Sequence, residues 1–289
     1  MEYLLTYGWA ILVIAVALGA LFELGLFNPY FFTPKAQPGS CSVFRPYGAG
    51  TSTDANLVGT CLNELPTLVA VLTPNGRYMS VPYSKTVSIM QTFTVVFWFD
   101  PYQCDLFYWP TAIGQGAEYE TGGWRIYYGN NQCTSPVNTD LTFAYRATSG
   151  SPVWLLFTPN LHLSQWYFVA LSYDLPASSA SIYAYNSSLK FKATATSSVY
   201  PINSIDTPLI LDAPNSAYAN VQLYNTSLSQ TEINSLYDEG IGGAPIDLQH
   251  LAGWWPLNGD IKDYSGNGNN GAVTITDFNS NWWNGYSVP

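Results

Sequence analysis

Chemistry on a sugar or an ester needs acids, bases or nucleophiles at defined spacing, and few residues of this chain qualify. Glycoside hydrolysis usually takes two carboxylates across the scissile bond. Glu118-Tyr119-Glu120 is the nearest approach to such a pair, but it stands alone in a Gly-rich loop and reads as a solvated hairpin. There is no Gly-x-Ser-x-Gly elbow, no phosphate-binding loop and no His-rich metal motif. His162 and His250 lie far in sequence from the four cysteines, so a zinc site is not expected. Asp260 and Asp263, with the Asn-Gly-rich Ser265–Asn270 loop, hold enough oxygen atoms for a calcium ion. The chain is therefore expected not to be an enzyme and to need no cofactor, with calcium the one cation that has candidate ligands.

Binding has more to work with. Trp254, Trp255, Trp282, Trp283, Tyr108, Trp109 and Tyr286 are candidates for a sugar-stacking platform, against the plainer reading of core and subunit contacts. Adjacent tryptophans on a strand point to opposite faces, so one of each pair is expected in the core and the other outside. Nucleic acid is not an expected partner: nine Lys and Arg against nineteen Asp and Glu give a formal charge of −10, with no dense basic cluster. Aromatic and β-branched residues are too plentiful for a disordered chain. The surface must instead be polar and weakly charged. Such a surface suits an acidic medium, where carboxylates protonate and stop solubilising.

The elements that position these residues fall into two regions. Tyr3 to Phe27 is apolar on every side, with Glu23 its one charged side chain. As a helix it would be roughly 38 Å long, enough to span a bilayer, and it must lie in lipid or inside protein. Asn28-Pro29 stops it. A signal peptide would carry a basic flank and a cleavage site. Their absence leads us to expect a processed subunit, with the mature terminus a residue or more upstream of Met1. Residues 29–64 are expected to form a linker and wrapping segment, and residues 65–289 a head.

Glu2-Tyr3-Leu4-Leu5-Thr6-Tyr7-Gly8-Trp9-Ala10-Ile11-Leu12-Val13-Ile14 resembles the N-terminus of archaeal type IV pilin-like proteins with a class III signal peptide. That resemblance implies a helix held in the membrane before assembly and packed afterwards in the core of a helical homopolymer. Tyr3, Tyr7, Gly8, Trp9, Ala10, Ile14, Ala15, Gly19 and Phe22 would pack in that core, the small residues allowing close backbone approach. Glu2 would carry the assembly charge that pairs with a neighbour's terminal ammonium.

Beyond Pro29, short alternating runs such as Phe93–Phe99, Trp124–Tyr128, Leu141–Arg146, Val153–Phe157, Trp166–Tyr173 and Ala180–Tyr185 predict an antiparallel β-sandwich. One helix interrupts them: Ser229 and Glu232 form a capping box, Ile233, Leu236 and Tyr237 an apolar face, and Gly240 the stop. The fold class expected is thus mainly β, a long N-terminal apolar helix followed by a sandwich.

Arg77–Val81 with Val95–Asp100, Gln165–Tyr173, Val221–Gly240 and Leu251–Gly271 resemble stretches of the laminin-G-like, concanavalin-A-like jelly roll. Leu251–Gly271 looks like that family's opening strand yet comes last, which implies a circularly permuted jelly roll, with a truncated second domain as the alternative. The family includes glucanases with a carboxylate triplet on one strand, like E-x-D-x-x-E, and no such triplet occurs. Its members often bind calcium, but their ligands do not map onto this chain residue by residue.

Cys41, Cys61, Cys104 and Cys133 allow three pairings. Cys41–Cys61 and Cys104–Cys133 close the local loops, of about 20 and about 29 residues, and each would contribute about 3–4 kcal/mol by chain entropy. Four free thiols is the alternative. Asn186-Ser187-Ser188 and Asn225-Thr226-Ser227 are N-glycosylation sequons. Together these features lead us to expect an extracellular filament on the cell surface, its head adhering to a glycan or cell-surface receptor. The alternative is a membrane-anchored, monomeric, lectin-like protein.

Overall fold

The structure is a computed structural model, and it describes residues 13–16, 65–73, 78–89, 91–103, 110–117, 122–129, 138–204, 206–273, 277–287 and 289. Backbone contacts divide the chain into two units, one of residues 1–44 and 52–61 and the other of residues 45–51 and 62–289.

In the first unit the described residues are one helical turn, Val13 to Val16. The expected long apolar helix over residues 1–28 is corrected on this point. Among the described residues, no helix is long and apolar enough to cross a membrane. The physical reason is that Val13, Ile14 and Val16 are exposed. A segment apolar on every side has no single face to dock on protein. Of the residues assigned to a filament core, Ile14 and Ala15 fall in this turn. Glu2, Tyr3, Tyr7, Gly8, Trp9, Ala10, Gly19 and Phe22 lie outside the described residues, as do all four cysteines and the 29–64 linker.

The second unit is a β-sandwich. Its strands in chain order are β1 (Val69–Leu72), β2 (Met79–Val81), β3 (Thr92–Pro101), β4 (Thr111–Ala117), β5 (Gly122–Tyr128), β6 (Asn138–Thr139), β7 (Leu141–Arg146), β8 (Pro152–Phe157), β9 (Leu161–His162), β10 (Tyr167–Asp174), β11 (Ser179–Tyr185), β12 (Lys190–Ala195), β13 (Leu209–Asp212), β14 (Ser216–Tyr224), β15 (Leu251–Trp255), β16 (Ala272–Val273) and β17 (Asp277–Asn279). The first sheet runs β12-β11-β10-β3-β14-β1-β17, with β15 also on β14. The second runs β16-β2-β13-β4-β5-β7-β8, and β6 pairs with β9. All strand pairs are antiparallel.

Alternation in β3 shows how sequence becomes layer. Phe93, Val95, Phe97 and Phe99 enter the core, which leaves Thr94, Val96, Trp98 and Asp100 on the other face of the first sheet. The two sheets meet through aromatic rings: Phe93 stacks on Trp124 with centroids 4.8 Å apart, and Phe99 meets Tyr128 edge-on at 5.5 Å.

The outer face of the first sheet is closed by the helix α1 (Gln230–Asp238) and by the C-terminal residues. The capping box at Ser229 and Glu232 is formed, and Ile233, Leu236 and Tyr237 are buried. Tyr237 stacks on Trp98 at 5.9 Å, and Tyr286 meets the same tryptophan at 5.5 Å. β15, the strand expected to have moved to the end of the chain, pairs with β14. Behind it, the Asp263 carboxylate accepts hydrogen bonds from the backbone N–H groups of Trp254, Ser265 and Asn269 at 2.8–3.0 Å, which ties the Asn-Gly loop to the strand.

Candidate functional site

With α1 and the C-terminal residues on the first sheet, the candidate binding groups lie on the outer face of the second sheet. Strand alternation decides what it carries. Trp124, Ile126 and Tyr128 of β5 and Leu141, Phe143 and Tyr145 of β7 face the core, so Arg125, Tyr127, Thr142, Ala144 and Arg146 point outward. Strand register then aligns two rows across the sheet. One row reads Ser80, Ile210, Gly114, Arg125, Ala144, Trp154. The next reads Asp212, Thr111, Tyr127, Thr142, Phe157.

The first row has a low floor. A Cβ at Gly114 would stand 2.7 Å from Cα and Cγ of Arg125, so only glycine lets this arginine lie across β4. The guanidinium is then fixed by two contacts: Nε donates to the Gly116 carbonyl, and Nη1 donates to Thr111 Oγ1 at 2.8 Å. Its nearest charge effect among the described residues is on Asp212, which pairs in register with Thr111. Asp212 is exposed at the end of β13 and feels the arginine across a longer gap. Crowding by neighbouring protein raises the Asp212 carboxyl above the usual range, and the charge of Arg125 pulls it back down.

Aromatic surface stands at the other end of the rows. Trp154 is half-buried and Phe157 is exposed. Tyr127 supports Trp154, with centroids 5.5 Å apart and planes at 30°. Between Tyr127 and Phe157, Thr142 is 1% exposed, and its hydroxyl has no hydrogen-bond partner among the described residues. A buried hydroxyl left unpaired is a cost that a ligand or a water would remove.

The residues singled out from sequence lie elsewhere. Trp254 and Trp255 are both buried on opposite faces of β15, their indole N–H groups donating to Asn220 Oδ1 and the Asn269 carbonyl. Trp282 is buried and donates to the Pro66 carbonyl. Trp283 is 49% exposed and stacks on Trp282 at 4.7 Å. Tyr286 packs on Trp98, and Tyr108, Trp109 and Glu118 to Glu120 lie outside the described residues.

The calcium candidates are engaged in hydrogen bonds within the loop. Both oxygens of Asp263 already accept backbone N–H groups, while Asp260 accepts from the Tyr264 hydroxyl at 2.8 Å and from Lys262 N. Among the described residues no group of three His, Cys, Asp or Glu is placed to hold a metal. The two sequons differ in setting. Asn225 is exposed at the end of β14, whereas Asn186 is 8% exposed, with Oδ1 accepting from Ser188 N and Leu189 N and Nδ2 donating to Gln165.

Residues 73–234, more than half of the chain, match the family model of the concanavalin A-like lectin/glucanases superfamily. The chain belongs to this superfamily. The matched stretch carries every residue of the two rows. Among solved structures, the chain is similar to a candidate carbohydrate-binding protein of Bacteroides ovatus, at 18% identity and a TM-score of 0.51. That match covers 74% of this chain and 60% of the other, so the chain spans less than two thirds of that protein. A sialidase CBM40 of Ruminococcus gnavus bound to α2,3-sialyllactose matches at 15% identity and a TM-score of 0.41, covering 59% of this chain and 98% of that one. The native heptameric SAP-like pentraxin of Limulus polyphemus matches at 10% identity and a TM-score of 0.41, covering 60% and 82%. No curated protein matches the chain. The family match and the likeness to the Bacteroides ovatus protein establish the fold, and they do not bear on the pilin-like resemblance of residues 2–14.

The sequence reading missed Arg125, Trp154, Thr142 and Asp212 as a group. Alternation within WRIYY and LTFAYR already put Arg125 and Thr142 off the core face. What joined them to Trp154 and Asp212 was register between strands, which alternation along one strand does not encode.

Proposed function

We propose that the chain is an extracellular carbohydrate-binding protein, that it is not an enzyme, and that the outer face of the second sheet holds the sugar. The observation that carries the reading is the juxtaposition on one face of Trp154, supported by Tyr127, with a guanidinium held flat over glycine and an exposed carboxylate. A pyranose ring offers an apolar face and a rim of hydroxyls. Trp154 and Phe157 supply apolar surface for the first, and Arg125 and Asp212 supply a donor and an acceptor for the second. Membership of a superfamily of lectins and glucanases supports the substrate class. The face offers one described carboxylate, Asp212, where glycoside hydrolysis usually takes two, which favours binding over hydrolysis. Neutral polar residues over most of the surface, four cysteines and an exposed sequon at Asn225 support the extracellular placement. The filament reading rested on the long helix and has no such support.

Trp154→Ala tests the site. On a glycan array the native protein should bind at least one oligosaccharide without shortening it. The variant, folded by circular dichroism, should bind that sugar about tenfold more weakly, since it loses the stacking surface. Equal affinity in the two proteins would remove this face from the reading.

A further inference from the structure

We propose that the folded protein carries an N-linked glycan on Asn225 and none on Asn186, although both asparagines open a sequon. The site lies away from the sugar-binding face and shares with that reading only the extracellular placement. The modifying step is a glycosyl transfer. Asn225 Nδ2 attacks the anomeric carbon of a lipid-diphosphate-linked oligosaccharide; the C–N bond forms as the C–O bond to the diphosphate breaks. The lipid diphosphate leaves with the bonding pair, and one amide proton passes to a base. The Ser227 hydroxyl, which completes the sequon, is half-buried and lies 2.8 Å from Ser172 Oγ. Transfer therefore takes place on the unfolded chain, and the fold then decides which glycan it can accommodate.

What separates the two asparagines is the room each side chain has. Asn225 follows directly on β14 and is exposed. Its backbone N–H donates to the His250 carbonyl at 2.8 Å, while no hydrogen bond among the described residues engages its side-chain amide. The chain beside it is tied down: Thr94 Oγ1 donates to the Thr226 carbonyl at 2.9 Å and accepts from Leu228 N at 2.8 Å. Of residues 225–228 only Asn225 is fully exposed, so a sugar on its Nδ2 displaces no protein contact. Asn186, by contrast, is built into the turn between β11 and β12. Its Oδ1 accepts from Ser188 N and Leu189 N at 2.9 and 2.7 Å, and its Nδ2 donates to Gln165 Oε1 at 3.4 Å. At 8% exposure, a sugar on that nitrogen would have to displace Gln165 and open the turn, leaving buried polar groups unpaired. Chains modified there are excluded from the folded product. Because β14 belongs to the first sheet, a glycan on Asn225 leaves Trp154 on the second sheet uncovered, and it adds solubility to a weakly charged surface.

The test is to send the full chain through a eukaryotic secretory pathway and map the glycans of the folded product by mass spectrometry of its peptides. The peptide holding Asn225 should carry an N-glycan, and the peptide holding Asn186 should be unmodified. Asn225→Gln should remove all N-glycan while binding the array sugar as tightly as the native protein. Should that variant fail to fold, Ser227→Ala should remove the same glycan and keep the asparagine, because the transferase requires the hydroxyl two residues on. An unmodified Asn225, or a glycan on Asn186 in folded protein, would overturn the proposal. Loss of array binding in a folded, glycan-free variant would overturn the placement of the glycan away from the face. An occupied Asn225 in a protein that binds no sugar of the array would support this modification and overturn the carbohydrate reading alone.

Discussion

Replacing Asp263 with alanine is expected to destabilise the sandwich by about 4 kcal/mol and lower its melting temperature by about 10 °C. Asp263 is 3% exposed, and its carboxylate satisfies three backbone N–H groups, of Trp254 on β15 and of Ser265 and Asn269 in the Asn-Gly loop. Truncation would leave those donors unpaired in a space where water cannot readily replace them. The damage would spread, because Asn269 receives the indole N–H of Trp255 on its carbonyl and links by its side chain to Thr86 and Ala252. Asp263→Asn keeps an acceptor for Trp254 and Ser265 but points a donor at Asn269, so an intermediate loss is expected. Thermal unfolding followed by circular dichroism would measure both. A melting temperature for Asp263→Ala within a degree or two of the native value would show that the loop is held by something else.

Native stability should fall, not rise, as the pH is raised from 4 to 8, and Asp100→Asn should remove most of that fall. Asp100 ends β3 on the outer face of the first sheet, 8% exposed, and its Oδ1 has no hydrogen-bond partner among the described residues. Burial pushes its carboxyl from an ordinary 3.8 up to about 7. The folded protein therefore holds this proton between pH 4 and pH 7, where the unfolded chain has released it. By linkage, stability must decline through that window. A shift of this size corresponds to a loss of about 4 kcal/mol by pH 8. The carboxyl groups of Asp212 and Glu239 are also raised, in both cases chiefly because neighbouring protein displaces water from around them, and act with the same sign. Asparagine cannot ionise, so the variant should match the native protein near pH 4 and exceed it near pH 8. Urea unfolding across that range measures the effect, and a native stability that is flat or increasing with pH would contradict it. The sign agrees with the low-charge surface, which loses little solubility when its carboxylates protonate.

Both predictions concern residues whose roles were unequally legible in the sequence. The strands were legible because alternation such as Phe93, Val95, Phe97 and Phe99 is a direct imprint of one buried face. The helix at Gln230–Asp238 was legible because a capping box is a local device, complete within Ser229 to Glu232. Asp263 carries no such local mark. It was noticed as a possible cation ligand, and only the folded loop shows its oxygens committed to backbone donors. The tryptophans misled for a related reason: an indole reads the same whether its N–H meets a sugar or, as for Trp254, a buried asparagine. The N-terminal segment shows the limit of composition, since an apolar stretch states that it must be buried but not in what form.

The face itself depended on long-range register. Arg125, Ala144 and Trp154 come from three strands, and only antiparallel pairing puts them in one row. That row is where amide hydrogen exchange should respond to sugar. With a saturating oligosaccharide from the array, protection should increase over β5, β7 and β8, around Arg125, Ala144 and Trp154, and stay unchanged over β10, β11 and α1. Protection confined to the first sheet or to α1, or no change anywhere under saturation, would contradict a carbohydrate site on the outer face of the second sheet.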